Sequence, residues 1–278
     1  MNKQELTDSL NAVGMRPGRG LGQNFLLDGN LLEWIVRKAD PRKDEEILEV
    51  GPGFGALTER LIASGARITA IEYDHRLADE LRKRFAGAEK FRLVEADACK
   101  VDFRELYPEE TGFRCVANLP YAISSVFIAA MVKLHSPPPY MLFMLQKEMG
   151  ERLAAPTSCK AYGALTVVTQ SVYDVTIEKI VPPEVFFPRP EVESALVSFR
   201  KHGRFPLSDI ERKHLSTVVR LLFNQRRKQM GKVLRGAFPA DRVDHALGEL
   251  ALPKEERPDK LPVETLVRLS SLLYQGND

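Results

Sequence analysis

The segment from Asp44 to Leu145 limits what this chain can become more than any other. Short apolar runs recur along it, each followed by a stretch with helical spacing. Glu46-Ile47-Leu48-Glu49-Val50 reads as a strand ending at Gly51, and Ala56 to Ala63 as a helix with Leu57, Leu61 and Ile62 apolar. Ile68-Thr69-Ala70-Ile71 is a second strand, ending at Glu72, and His75 to Phe85 a charged helix. Phe91-Arg92-Leu93-Val94 is a third strand with Asp97 at its end. Arg114 to Ala117 and Tyr140 to Leu145 are the fourth and fifth. Strands that are continuously apolar, rather than alternating, are buried on both faces. Helices between successive strands are the crossovers of a parallel sheet. The expectation is an α/β fold with helices on both faces of the sheet.

With 278 residues the chain can hold one large domain and a small one. Its charged fraction of 28% and apolar fraction of 44% are those of a globular protein, which excludes a disordered class. No apolar run is long enough to span a bilayer. Met1 to Glu5 has no apolar core behind a basic start, so no signal peptide is expected and the cytoplasm is the expected location. Cys99, Cys115 and Cys159 are too few and too scattered for a disulfide framework or a CxxC metal site. No metal is expected, and the lone histidines His75, His135 and His214 are given no catalytic role.

The flanking segments differ in texture. Residues 1–30 form a polar arm, with Arg16-Pro17-Gly18-Arg19-Gly20 a loop by composition. Leu21 to Asp28 follows, then an amphipathic helix through Leu31, Leu32, Ile35 and Val36. The arm is either frayed or a lid that places the Asn24 amide over a ligand. After Lys147 come a helix, a loop with Pro156, and a helix from Tyr162 to Tyr173. Val175 to Ile180 and Ala195 to Phe199 read as a strand pair. The prolines of Pro182 to Pro190 keep that connection out of the sheet. Ser208 to Glu211 is a capping box, and helical spacing continues to Tyr274. The expected division is 1–202 for the α/β domain and 203–278 for a small all-helical domain.

Candidate ligand groups fall at the strand ends. Gly51-Pro52-Gly53-Phe54-Gly55 is a glycine turn that lets the backbone approach a bulky ligand. It is neither GxxxxGK[ST] nor GxGxxG, so a triphosphate loop is excluded. Glu72 can accept ribose hydroxyls, and Asp97 an exocyclic adenine amine. Either acid alone could be an exposed loop residue. Together they form an ordered series along one sheet edge. NAD and S-adenosylmethionine (SAM) both use such edges, and G-x-G-x-G after an acid suits a methyltransferase better. The fourth strand then runs into Asn118-Leu119-Pro120-Tyr121. A proline there stops the strand and stiffens the turn. An amide, a backbone carbonyl and an aromatic ring are thereby held where ligands bind in open α/β sheets.

This last loop is similar to that of the amino-methyltransferases, with Leu119 in place of the first proline of an (Asn/Asp)-Pro-Pro-(Tyr/Phe) motif. Leu21 to Leu26, the Gly51 turn, Asn118 to Ser125, Phe186 to Ser194 and Phe223 to Lys228 occur in order. Over nearly its whole length the chain resembles the family of bacterial 16S rRNA dimethyladenosine transferases. The resemblance implies a Rossmann-like class I SAM-dependent methyltransferase sheet. It also implies N6,N6-dimethylation of two adjacent adenosines in the 3′-terminal hairpin of 16S rRNA, during small-subunit biogenesis. Asn24, Leu26, Gly51, Gly53, Glu72, Asp97 and Asn118 would line the SAM site. Asn118, Leu119, Pro120, Tyr121 and Phe186 would hold the target adenine. The partner implied is 16S rRNA in the immature small subunit, bound by a monomer. Arg16 to Gly20 departs from a lysine pair common in the family, which leaves the arm's RNA contacts open. The related 23S rRNA methyltransferases of erythromycin resistance share the catalytic half. An assembly factor that acts mainly by binding the immature subunit is a third reading.

Net charge is only +2, yet the eight Lys and Arg from Arg212 to Arg235 meet no Asp or Glu. A run of this kind is either a solvated helix face or a contact for RNA phosphates. Arg220, Arg226, Arg227, Lys228, Lys232 and Arg235 are the candidates.

Overall fold

The computed structural model describes residues 3–15, 24–107, 112–226 and 228–275. The loop expected at Arg16 to Gly20, the motif residues Leu21, Gly22 and Gln23, and the basic Arg227 lie outside the described residues. The chain divides into two compact units. One comprises Met1–Phe127, Pro138–Gly150 and Thr176–Phe199; the other Ile128–Pro137, Glu151–Val175 and Arg200–Asp278.

The first unit opens on a helix, α1 (Lys3–Ala12). Leu6 and Leu10, one turn apart, are buried with Met15, Phe54 and Leu77. The sequence reads as a polar arm there because two leucines carry the whole apolar face. After β1 (Phe25–Leu26), α2 (Gly29–Ala39) starts where the Asp28 carboxylate accepts from the Leu31 N–H at 2.7 Å. Its Leu31, Leu32, Ile35 and Ala39 enter the core.

The alternation follows as β2 (Glu46–Val50), α3 (Ala56–Ala63), β3 (Arg67–Glu72), α4 (His75–Arg84) and β4 (Phe91–Glu95). Then come a short α5 (Phe103–Leu106), β5 (Arg114–Asn118), α6 (Ser124–Lys133), β6 (Tyr140–Gln146) and α7 (Lys147–Leu153). Next are α8 (Ala164–Gln170), β7 (Tyr173–Val181), β8 (Phe186–Phe187) and β9 (Ser194–Lys201). Among the described residues, seven strands form one sheet in the order β4-β3-β2-β5-β6-β9-β7. The β2–β3, β3–β4, β2–β5 and β5–β6 pairs are parallel, with Val50 opposite Ile71 and Asn118 opposite Met144. The chain steps outward from β2 to β4, then returns to lay β5 on the other side of β2. At such a reversal the crossovers diverge and leave a crevice at the strands' C-terminal ends. Gly51 and Asn118 stand on either side of it.

The Pro182–Pro190 connection stays out of the large sheet as expected. Its Phe186–Phe187 segment nonetheless pairs antiparallel with Phe25–Leu26, a separate two-stranded ladder. The helix expected from Tyr162 to Tyr173 is shorter at both ends. Gly163 caps α8, donating its N–H to the Thr166 hydroxyl at 3.1 Å. Tyr162 is buried with its own hydroxyl donating to the Leu261 carbonyl at 3.0 Å, and Tyr173 already belongs to β7.

The second unit adds α9 (Asp209–Asn224), α10 (Met230–Arg235), α11 (Ala240–Glu249) and α12 (Val263–Leu273). α9 begins at the expected box: Ser208 Oγ accepts from the Glu211 N–H, and Glu211 accepts from the Ser208 N–H. Arg212 is buried on this helix and donates to the carbonyls of Leu207, Leu134 and His135. The helical segment therefore builds its core together with parts of the chain that precede β7. No helix among the described residues is long and apolar enough to cross a membrane.

Candidate active site

A cavity of about 320 Å³ opens at the C-terminal ends of β2, β3 and β5. Asn24, Leu26, Gly51, Gly53, Glu72, Asp97, Asn118, Leu119, Pro120 and Tyr121 all line it. Residues separated by nearly a hundred positions thus share one wall.

The glycine turn makes the floor. Gly51 and Gly53 both have positive φ, 66° and 60°. A Cβ on Gly51 would lie 2.8 Å from Pro120 Cγ, and one on Gly53 3.0 Å from the Phe25 ring. Glycine is thus required twice over, by conformation and by space. The Gly51 N–H donates to the Ile71 carbonyl at 2.9 Å, which ties the turn to the end of β3.

Glu72 is held rigidly. One carboxylate oxygen accepts from the N–H groups of Tyr73 and Asp74, both at 2.9 Å, and the other from Gly53 at 3.4 Å. Burial raises its pKa, and those backbone donors oppose the rise. Glu49, deeper and wholly enclosed, is pushed up to about 8 by burial; the Thr58 hydroxyl donating at 2.7 Å counters part of that. Asp97 sits beyond the end of β4. Its Oδ1 accepts from the Cys99 N–H at 2.9 Å, an Asx turn, and Lys100 Nζ is 3.5 Å from Oδ2.

The loop after β5 makes the other wall. Asn118 Nδ2 donates to the Asn24 carbonyl at 2.9 Å. A carbonyl can only accept, so the amide's orientation is fixed and Oδ1 becomes the group turned away from Asn24. Leu119 is buried, and the Ile123 N–H donates to the Pro120 carbonyl at 3.1 Å, closing the turn into α6. Tyr121 is half-buried; its hydroxyl lies 2.6 Å from Ser194 Oγ, and burial raises its pKa.

One predicted adenine contact is not brought here. Phe186 is only 4% exposed, sits in the core cluster with Leu26, Leu31 and Leu196, and does not line the cavity. Alternation along β8 is the reason: one ring of the Phe186–Phe187 pair must face the core. Phe187 is the half-buried ring of the two, packed against the cluster of Leu6, Leu10, Met15, Phe54 and Leu77 and under the Lys3 ammonium at 5.2 Å.

The lining includes residues the sequence did not single out. Leu6 of α1 closes one side, and its only signal was the i, i+4 spacing with Leu10. Glu49 counted in the sequence only as the acid ahead of the glycine turn, not as a lining residue. Tyr73, 67% exposed, flanks Glu72 at the mouth.

The arrangement suits a ligand that has an adenosine at one end and reacts at the other, beside Asn118. The chain matches the model of the ribosomal RNA adenine dimethylase family over residues 16–275. The chain belongs to that family. Among relatives of this dimethylase, the ribosomal RNA small subunit methyltransferase A of Hahella chejuensis is 38% identical over 264 residues, 94% of each chain. The protein of that name from Clostridium acetobutylicum is 33% identical over 275 residues, 99% of each chain. Among solved structures, a dimethyladenosine transferase from Plasmodium falciparum aligns with TM-score 0.74 and 25% identity, over 88% of this chain and 95% of that one. The 23S rRNA methyltransferase ErmE aligns with TM-score 0.65 and 27% identity, over 91% and 100%. The fold of the dimethylase is that of the class I SAM methyltransferases.

The basic candidates divide by what they touch. Arg226 donates to the carbonyls of Lys160 and Cys159 at 3.1 and 3.2 Å, and lies 3.4 Å from Asp259. Arg235 is paired with Asp244. Both are thus engaged inside the second unit, as is Arg212. Arg220, Lys228 and Lys232 are exposed. Sequence spacing alone does not separate these two sets. Among the described residues, no cluster of three or more His, Cys, Asp or Glu is placed to hold a metal ion.

Proposed function

We propose that this dimethylase modifies N6 of two adjacent adenosines in the 3′-terminal hairpin of 16S rRNA, acting as a monomer on the immature small subunit. The class of reaction, SAM-dependent dimethylation of adenine in ribosomal RNA, follows from family membership. The finer target is supported by the small-subunit names of the relatives, and the erythromycin-resistance reading is not favoured. The observation that carries the residue assignments is the Asn118–Asn24 bond at the end of the glycine and carboxylate series.

The site fits SAM on its own terms: the turn at Gly51 and Gly53 lines a cavity of about 320 Å³, and Glu72, at the same wall, would accept the ribose hydroxyls. Asn24, Leu26, Asp97 and Asn118 would complete its enclosure. Bound there, SAM supplies an electrophilic methyl group on a positively charged sulfur. The protein's part is position and electrostatics.

The adenine amine is a weak nucleophile because its lone pair is delocalised into the ring. Asn118 Oδ1 and the Leu119 carbonyl accept its two hydrogens and draw the nitrogen toward tetrahedral geometry. Pro120 offers no competing N–H. Tyr121 stacks on the flipped base, a contact contributing about 1–3 kcal/mol. The second unit holds folded RNA through Arg220, Lys228 and Lys232, with phosphate contacts of the usual salt-dependent kind. In this reading residues 203–278 carry the RNA-binding groups and 1–202 the catalytic ones.

Labelled SAM and small subunits lacking the modification give the test. Dimethyladenosine should accumulate in the small-subunit RNA, and Asn118→Ala should reduce transfer at least about a hundredfold while subunit binding persists. Labelling of naked 23S rRNA instead would overturn the small-subunit assignment. Normal assembly in cells that carry Asn118→Ala, set against failure when the whole protein is absent, would make the binding role dominant.

A further inference from the structure

The segment Phe186 to Ser194 stands out in the sequence, yet the site described above uses none of its last residues. Ser194 opens β9 and is completely buried. Its Oγ lies 2.6 Å from the Tyr121 hydroxyl, across a separation of 73 positions. A phenol held on a buried hydroxyl is restrained from swinging about its Cα–Cβ bond. Tyr121 has a second restraint at its backbone, where the Ser124 hydroxyl donates to its carbonyl at 3.0 Å. The phenol tip is tied to Ser194 and the backbone to Ser124, at the rim of the cavity that Tyr121 lines.

We infer that Ser194 is a positioning residue, acting through Tyr121, for the second of the two methyl transfers. This rests on the assignment of Tyr121 to the target base. The physical reason lies in what the first transfer does to the substrate. An unmodified adenine amine has two N–H groups, one for Asn118 Oδ1 and one for the Leu119 carbonyl. In the first transfer the sulfur–methyl bond of SAM breaks as the N6–methyl bond forms, S-adenosylhomocysteine leaves and one N–H proton passes to water, so a single N–H remains. One of the two acceptors then loses its partner, and stacking on Tyr121 holds a larger share of the base. A ring free to tilt costs little while two hydrogen bonds locate the base, and more when one does. Ser194 thereby bears on how far the reaction goes, rather than on whether it starts.

The test uses the full chain, labelled SAM and small subunits lacking the modification. Monomethyl and dimethyl adenosine are separated after nuclease digestion. Ser194→Ala and Tyr121→Phe each remove the same bond and keep an aromatic ring at position 121. Each should raise the ratio of monomethyl to dimethyl product roughly three- to tenfold, the size expected for one lost hydrogen bond. The affinity of Ser194→Ala for S-adenosylhomocysteine should be unchanged. The double variant should match either single one, because a bond can be lost only once. An unchanged product ratio in Ser194→Ala, or effects of the two substitutions that multiply, would overturn the inference. Failure of Asn118→Ala to block transfer would instead remove the base-pocket reading beneath it.

Discussion

Replacing Gly51 by alanine should slow methyl transfer about tenfold while leaving the protein folded. Two effects act at this position. The first is conformational: φ is +66°, and an L-residue there costs about 1–2 kcal/mol. The second is spatial. The new Cβ would stand 2.8 and 2.9 Å from Pro120 Cγ and Cδ, where ordinary contact begins at 3.4 Å. The ring must retreat by roughly 0.6 Å, the difference between 3.4 and 2.8 Å. Pro120 carries Leu119 and Asn118 with it, so the proposed acceptors for the adenine amine move away from the proposed cofactor edge. Misplacement by about 1 Å can cost about a hundredfold, so half that distance corresponds to roughly tenfold in kcat. Gly65→Ala is the matched control. Its φ is +88°, but its Cβ would meet Lys43 Cγ at an ordinary 3.5 Å. Both variants should lose a few degrees of Tm, about 2–8 °C, and only Gly51→Ala should lose activity. Single-turnover transfer to small subunits, with calorimetry on the same preparations, measures both quantities. A Gly51→Ala enzyme within twofold of the parent in kcat would refute the reasoning, as would equal losses in the two variants.

Three further outcomes follow from the geometry. Because burial lifts the folded-state pKa of Glu49 to about 8 from an ordinary 4.5, its contribution to stability is full below 4.5 and fades as pH rises through 8. Glu49→Gln keeps an acceptor for Thr58, so its Tm should gain on the parent's steadily between pH 5 and 8; a gap independent of pH would contradict this. S-adenosylhomocysteine at a hundred times its Kd should add about 2.7 kcal/mol of stability, and Glu72→Ala, which removes the proposed ribose acceptor, should remove most of that gain in a thermal-shift titration. Lys232→Ala should weaken binding to small subunits, lower the salt slope by about one and leave Tm unchanged, whereas Arg226→Ala should lower Tm because it anchors the Cys159–Lys160 backbone and faces Asp259.

Much of the cavity lining could be read from the chain, because each of these groups closes a strand. Gly51 and Asn118 stand at the ends of β2 and β5, Glu72 ends β3, and Asp97 follows β4; strand ends are where periodicity is easiest to see. The orientation of Phe186 was not legible, for the complementary reason. In a two-residue strand nothing in the sequence says which ring faces the core. The arm also misled: α1 has only Leu6 and Leu10 to bury, too weak a pattern to register against its polar neighbours. In the basic run, Arg212 and Arg226 look like Arg220 in every local respect, and differ only in the carbonyls that folding brings to them.

The sequence by itself settled the α/β alternation, the order of the strand-end groups and the family, since these depend on residue type and spacing along the chain. Tertiary structure decided which groups meet. Asn24 reaches Asn118, Ser194 reaches Tyr121 and Leu6 reaches the cavity across gaps of up to about a hundred residues. Such contacts are set by the order in which strands pack side by side, and β5 returning to β2 is an event no local pattern encodes. The loop at Asn118 became a site only when that return placed it against the glycine turn.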